Sequence, residues 1–435
     1  TYHGFRYVEI SGLSAPLKAT DIRGLVLNSD VKRVGHFETS NPLLNRFIEN
    51  VDWGLRSNYM SVPTDCPQRS ERLGWTGDAQ AMQPSAQYLR ESARFFTKWN
   101  WDLVDSGGAP NQAPLPYTVD IAAPGWSDAV TIIPWNLYLF YGDTRPMKAS
   151  YPGMKQFVDR MLAEAEAMGT PYLYWKNGYG DHVSLDHQER KAFGAYYCYH
   201  STDLLSRMAS VLGQTTDAKY YSSLLPKIAE AIHQQWINKD PRFGRSNQSE
   251  IAVPLAFGIV PKDQQKEKVE KLVSLIKSQD SAPRTGFLGT AVLLPVLSNN
   301  GYHDLAGEMA LREESPSWLH MVKAGATTVW ERWNSDTAGP GMNSRNHFLF
   351  GAVTEWYFGT LAGIKPDPEY PGFKHFFVRP MPIAGLDFIK AEHETLYGAI
   401  RVEWRRKGQV IEMTLTIPGN TVATVQLPER PRVSP

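Results

Sequence analysis

Between Ser40 and Leu361 the apolar residues recur at helical spacing in roughly a dozen separate stretches. In the first, Ser40-Asn41-Pro42 offers a capping oxygen and a proline for the opening turn. Leu44, Phe47, Ile48, Val51 and Leu55 then follow at i, i+3, i+4 spacing. Further helical patterns run over about residues 79–101, 126–141, 146–168, 191–212, 216–237, 250–257, 262–278, 287–297, 302–312 and 346–361. They share no fixed sequence period, so the chain is not a solenoid of recognisable repeats. Long polar loops separate alternate pairs of helices, notably residues 105–124. That rhythm predicts two concentric helix rings, an (α/α)6 barrel, with functional loops on one face. A plain multi-helix bundle is the alternative.

The flanks are different. Residues 1–38 hold short apolar bursts around Phe5, Tyr7, Val8 and Ile10, then Leu25–Leu27, Val31 and Val34. They predict two or three strands, too few for a domain of their own. Residues 365–372 carry Pro366, Pro368 and Pro371 and predict an extended linker. Beyond it, β-rich runs alternate with turns such as Lys407-Gly408 and Pro418-Gly419-Asn420, predicting a small antiparallel β-sandwich. The expected division is a β segment at 1–38, a barrel at 39–364 and a β-sandwich domain at 365–435.

Charge excludes some functions. Acidic and basic side chains balance at 45 each. The chain therefore has no basic footprint for nucleic acid and no polybasic patch for an anionic membrane. No apolar run approaches the ~18 residues of a membrane span. The two cysteines, Cys66 and Cys198, are too few for a four-ligand zinc site, and both are expected as free thiols. No metal or cofactor is expected. The chain starts without Met and reads as a fragment of something longer, so its compartment is left open.

Residues 65–80 are the most reactive stretch: Asp65-Cys66-Pro67-Gln68-Arg69-Ser70-Glu71-Arg72-Leu73-Gly74-Trp75-Thr76-Gly77-Asp78-Ala79-Gln80. Acids beside a tryptophan suit a carbohydrate site, the acids for proton transfer or hydroxyl binding and the indole for a sugar face. A salt-bridged surface loop would look the same. Three more loops combine acids with aromatics: Trp126-Ser127-Asp128, Tyr179-Gly180-Asp181-His182, and Trp330-Glu331-Arg332-Trp333 followed by Asn346-His347. Ser127 or Asp128 could simply cap a helix. Glu71 and Glu331 are candidates for the two carboxyl groups that glycoside cleavage requires.

Taken together, residues 65–78, Gly325-Ala326-Thr327-Thr328-Val329-Trp330-Glu331-Arg332-Trp333 and Asn346-His347 closely resemble the α-L-rhamnosidases of glycoside hydrolase family 78. The resemblance extends over nearly the whole chain, including Thr285-Gly286-Phe287-Leu288-Gly289-Thr290 and the Pro366–Pro371 region. It implies an (α/α)6 barrel and inverting, metal-independent release of terminal α-L-rhamnose. By that resemblance Glu71 matches the general acid and Glu331 the general base. Asp65, Arg69, Asp78 and His347 match substrate-binding or orienting residues. Trp75 and Trp126 match aromatic walls apt for the rhamnose methyl, and Asp128 matches a further binding residue. One departure is His182, where the family commonly has Trp; it weakens this loop as an aromatic wall and alters the sugar subsite or what lies beyond it. The family's usual N-terminal β-domains are missing from this chain. Two other readings compete: a barrel hydrolase for a different sugar, and a non-catalytic carbohydrate-binding relative.

Overall fold

The computed structural model describes residues 2–114, 123–176, 178–238, 244, 246–341 and 343–427. Residues 115–122 of the expected 105–124 loop, and 428–435 at the end of the expected C-terminal domain, lie outside the described residues.

A helix apolar on all sides must be surrounded by protein, whereas one with a single apolar face lies at a surface. The helices alternate between these two environments, although the inner helix starting at Thr76 is buried with Gln80, Gln83 and Gln87 on it rather than apolar all round. Outer helices α1 (Pro42–Asn58), α3 (Ala93–Asp105), α5 (Arg145–Ala167), α7 (Thr215–Ile232), α9 (Lys262–Ser278) and α11 (His303–Leu311) bury one face. Inner helices α2 (Thr76–Leu89), α4 (Ala129–Tyr141), α6 (Arg190–Val211), α8 (Gln248–Ala256) and α10 (Phe287–Asn299) bury most of their residues. The sixth inner position is an irregular helix over 349–361, a 3-10 turn passing through Thr354–Trp356 into a π turn at Tyr357–Leu361. Each inner helix packs on the next, α2 on α4 on α6 on α8 on α10, and the 349–361 helix returns to α2. The inner ring is closed, as expected of an (α/α)6 barrel.

Local signals explain several boundaries. Asn41 Oδ1 accepts hydrogen bonds from the amides of Leu43 and Leu44, capping α1 as its sequence predicts. Gly142, at φ 68°, ends α4 in the left-handed region that glycine adopts without strain. Other boundaries differ from expectation. The helix expected over 79–101 is two helices. It breaks because the Arg90 guanidinium turns inward to the Asp52 carboxylate and the Val31 carbonyl. A short helix, α12 (Trp318–Lys323), absent from the sequence expectation, joins the outer layer against α1, and Ser317 Oγ caps it by accepting from His320 N–H at 3.0 Å.

The β structure departs further. No strand forms before Gly35 among the described residues. Phe5, Tyr7 and Val8 are exposed, and the segment lies along the barrel with Gly4 N–H donating to the Pro67 carbonyl. β1 (Gly35–Thr39) is the first long strand; a two-residue pair, β2 (Tyr59–Met60) and β3 (Val62–Pro63), follows α1. Nor is 365–372 a free linker: β4 (Ile364–Pro366) pairs with β5 (His375–Val378). The sheet domain adds β6 (Phe388–Thr395), β7 (Gly398–Lys407), β8 (Val410–Thr416) and β9 (Val422–Val425). One sheet runs β1-β6-β7-β8, all antiparallel, so a strand preceding the barrel edges the C-terminal sheet. The other runs β4-β5-β9, and β5 pairs with β9 in parallel, against the all-antiparallel expectation. Trp404 Nε1 donates to the Leu361 carbonyl and Tyr88 Oη to the Ile364 carbonyl, pinning sheet to barrel.

Candidate active site

Loops at one end of the inner ring enclose a cavity of about 660 Å³. The 65–75 loop leads into α2 and supplies Asp65, Arg69, Ser70, Glu71, Leu73 and Trp75. Its shape is enforced by backbone. Asp65 N–H donates to the Leu73 carbonyl at 3.0 Å, and Leu73 N–H donates to Asp65 Oδ1 at 2.9 Å. A side chain at Gly77 would put Cβ 2.4 Å from the Trp126 ring, so only glycine lets that indole lie over the start of α2.

One arginine organises the acids. Arg69 Nη2 lies 2.7 Å from Glu71 Oε2, 3.3 Å from Glu331 Oε2 and 3.6 Å from Asp65 Oδ2. The nearest oxygens of Glu71 and Glu331 are therefore no farther apart than the sum of the first two contacts, about 6 Å. This is shorter than the ~6.5–9.5 Å expected between carboxyl groups of an inverting pair, although the carboxyl carbons stand behind those oxygens. The acids also differ in exposure. The Glu71 side chain is 32% exposed, near the cavity mouth, and takes a 2.7 Å hydrogen bond from Trp75 Nε1. Glu331 is only 5% exposed, held by Asn343 Nδ2 at 3.0 Å and Ser344 N–H at 2.8 Å. Ser344 Oγ donates to Gln68 Oε1, tying the two acid-bearing loops together.

The floor is a second charged group. His347 Nε2 is 3.0 Å from Asp78 Oδ1, and both side chains are buried. Burial acts to lower the His347 pKa. The Asp78 hydrogen bond and the charges of Glu331, Asp78 and Asp65 outweigh it and raise it to about 8. Burial pushes the Asp65 carboxyl up to about 6, against the pull of His347. Asp65 Oδ2 and His347 Nδ1 are buried without a hydrogen-bond partner. The walls are aromatic: Trp75, Tyr179, Trp126, His182 and Phe287 follow one another at ring separations of 4.7–6.4 Å, and Phe287 stacks on His347 at 5.0 Å.

The His347–Asp78 pair carries a pH signature. The folded pKa lies above the ordinary 6.5, so its contribution to stability is complete below about pH 6.5. It is lost as pH rises through about 8, by roughly 2 kcal/mol. Asp65, raised from 3.8 to about 6, loses its contribution earlier, as pH rises toward 6. Chemical denaturation between pH 6 and 9 should therefore show a decline that His347→Gln abolishes. An equal decline in the variant would assign it elsewhere.

Of the residues expected at the site, Glu71, Glu331, Asp65, Arg69, Trp75, Asp78, Trp126 and His347 all line this cavity. Asp128 does not. It is fully buried, accepts hydrogen bonds from Gly125 N–H at 2.8 Å and Ser201 Oγ at 2.6 Å, and braces the turn before α4 against α6. The third loop does contribute wall, through Tyr179 and His182. Its Asp181 is instead buried on the start of α10, accepting from the amides of Gly286, Leu288 and Gly289. Sequence reasoning passed over Phe287 and Asn343. Phe287 sat within a noted motif, whereas Asn343 gave no signal beyond a residue type that tolerates its left-handed φ of 63°.

Asp65, Cys66 and Glu71 bring their ligand atoms within 4.8 Å of one another. The set suits a metal ion poorly. Burial pushes the Cys66 thiol far up, which keeps it protonated, and the Arg69 cation already faces both carboxylates.

A closed ring of six helical hairpins with paired acids at one end is the architecture of the six-hairpin glycosidases. Residues 32–361 match the bacterial alpha-L-rhamnosidase 6 hairpin glycosidase domain, and residues 363–434 match the bacterial alpha-L-rhamnosidase C-terminal domain. The chain belongs to the bacterial α-L-rhamnosidase family. It is 35% identical to an alpha-L-rhamnosidase of Streptomyces avermitilis, over 98% of this chain and 42% of that protein. It is 34% identical to one from an Alteromonas species, over 97% of this chain and 48% of that protein. The crystal structure of the Streptomyces avermitilis enzyme complexed with L-rhamnose superposes with a TM-score of 0.87 at 34% identity, covering 92% of this chain and 39% of that one. The Dictyoglumus thermophilum alpha-L-rhamnosidase gives 0.89 at 31%, covering 95% and 47%. The chain thus spans less than half the length of these relatives.

Proposed function

We propose that this chain hydrolyses terminal α-L-rhamnosides with inversion, by general acid–base catalysis. The observation that carries the reading is Arg69 Nη2 standing between Glu71 and Glu331. The two carboxylates share this cation across one cavity, Glu71 partly exposed and Glu331 buried, so one acid stands where a leaving group meets solvent and the other where a water is shielded from it. Glu71 at the mouth protonates the departing oxygen, whose aglycone leads out to solvent. Glu331, deeper and oriented by Asn343 and Ser344, activates the water. Asp65 Oδ2 accepts from sugar hydroxyls, and His347, charged at neutral pH, donates through Nδ1. Trp75, Trp126, Tyr179 and Phe287 cover the apolar face and methyl of the sugar.

A panel of aryl glycosides tests this. Rhamnose release from the α-L-rhamnoside alone is expected. Preference for another sugar would favour a different barrel hydrolase, and binding of rhamnose without turnover would favour a binding protein.

A further inference from the structure

His182 is an unusual member of the cavity wall. The ring edges onto Phe287 at 5.3 Å and faces Trp126 at 6.3 Å and Tyr179 at 6.4 Å. Among the described residues its side chain makes no hydrogen bond. The ring lines the cavity, so among the described residues its nitrogens are left to whatever enters there, and a sugar hydroxyl can bond them without displacing a protein contact.

The backbone presents this ring at a cost. Gly180 has φ 63°, Asp181 is locked onto the start of α10, and Val183, immediately after the histidine, has φ 57°. A β-branched residue in the left-handed region is strained by about 1 kcal/mol or more, and such strain persists where the surroundings over-determine it. His182 is fixed as well by its own carbonyl, which accepts from Phe287 N–H at 3.1 Å. The turn aims one polar ring into an otherwise apolar wall.

Its position selects what it meets. The charged groups facing His182 are Asp78, Glu331, His347 and Arg190. Three of these form the floor and the water-activating side; Glu71, at the leaving-group side, is not among them. Burial lowers the His182 pKa, so the ring is neutral at neutral pH and offers one donor and one acceptor.

We propose that the His182 imidazole hydrogen-bonds a hydroxyl of the terminal sugar and so determines which sugars this cavity accepts. The inference rests on the reading of the cavity as a rhamnoside site. The test compares kcat/KM for an aryl α-L-rhamnoside and its 2-, 3- and 4-deoxy analogues, in the unaltered protein and in His182→Phe. Asp65, Asp78 and His347 also bind hydroxyls, so deoxygenation costs both proteins. For one position the unaltered protein should lose at least ~10-fold more than the variant. His182→Gln, which keeps a donor and an acceptor, should restore part of that difference. Three penalties equal within twofold in the two proteins would overturn the proposal. If His182→Phe fails to fold by circular dichroism, His182→Ala takes its place. If the unaltered protein turns over no rhamnoside, the catalytic reading fails. Calorimetric binding of rhamnose and its deoxy forms then gives the same comparison, and absence of any binding overturns both.

Discussion

Glu71→Gln is expected to lower kcat by at least ~10²-fold on a rhamnoside with an alkyl aglycone, and by much less on a nitrophenyl rhamnoside. The substitution keeps the shape of the side chain and its place at the cavity mouth. Its amide keeps an oxygen for Trp75 Nε1, which the carboxylate meets at 2.7 Å. It has no proton to give. An alkoxide cannot leave without one, whereas a nitrophenolate can. Glu331→Gln should behave differently. It too should cost at least ~10²-fold, but by the same factor on both substrates, because water must be deprotonated whatever group departs. That pair of profiles separates acid from base in a way that two inactive mutants cannot. Reversed dependence on the leaving group would exchange the roles, and wild-type rates in either variant would remove that residue from the chemistry.

Arg69→Met is expected to lower kcat/KM by at least ~10²-fold, with most of the loss in kcat. The methionine fills the space of the stem but leaves Asp65, Glu71 and Glu331 facing one another without the cation that lies 2.7–3.6 Å from all three. The positive charge that orders acid and base around one point is then gone. Nη2 makes the closest contact to each of the three acids, so one positive charge placed there reaches all of them. Arg69→Lys should therefore retain clearly more activity than Arg69→Met, unlike a site that depends on bidentate pairing. If lysine is as poor as methionine, the cation acts through its geometry. If methionine is harmless, it is not part of the mechanism.

Much of this site was legible before any coordinates. The acids fall in loops punctuated by proline and glycine, Asn41 announces the start of α1, and the family resemblance joins residues some 260 positions apart. What sequence missed has identifiable physical causes. Arg90 ends α2 through a partner, Asp52, on a different helix, and no local pattern announces a tertiary ion pair. The apolar bursts near Phe5 and Leu25 have strand composition, but a strand needs a neighbour to pair with, and none is provided there among the described residues. The parallel pairing of β5 with β9 depends on where the chain returns after three intervening strands. Asp128 and Asp181 show the same limit at the site. An acid beside an aromatic in a loop reads as a ligand-binding group. Yet each spends its oxygens on backbone amides and a serine hydroxyl, bracing the loops that carry Trp126 and His182.

The most direct measurement is proton NMR of the sugar released in the first moments of hydrolysis of an aryl α-L-rhamnoside. Inversion through Glu71 and Glu331 predicts that β-L-rhamnose appears first and the α anomer only later, by mutarotation. The α anomer appearing first, or no rhamnose at all, would contradict the account.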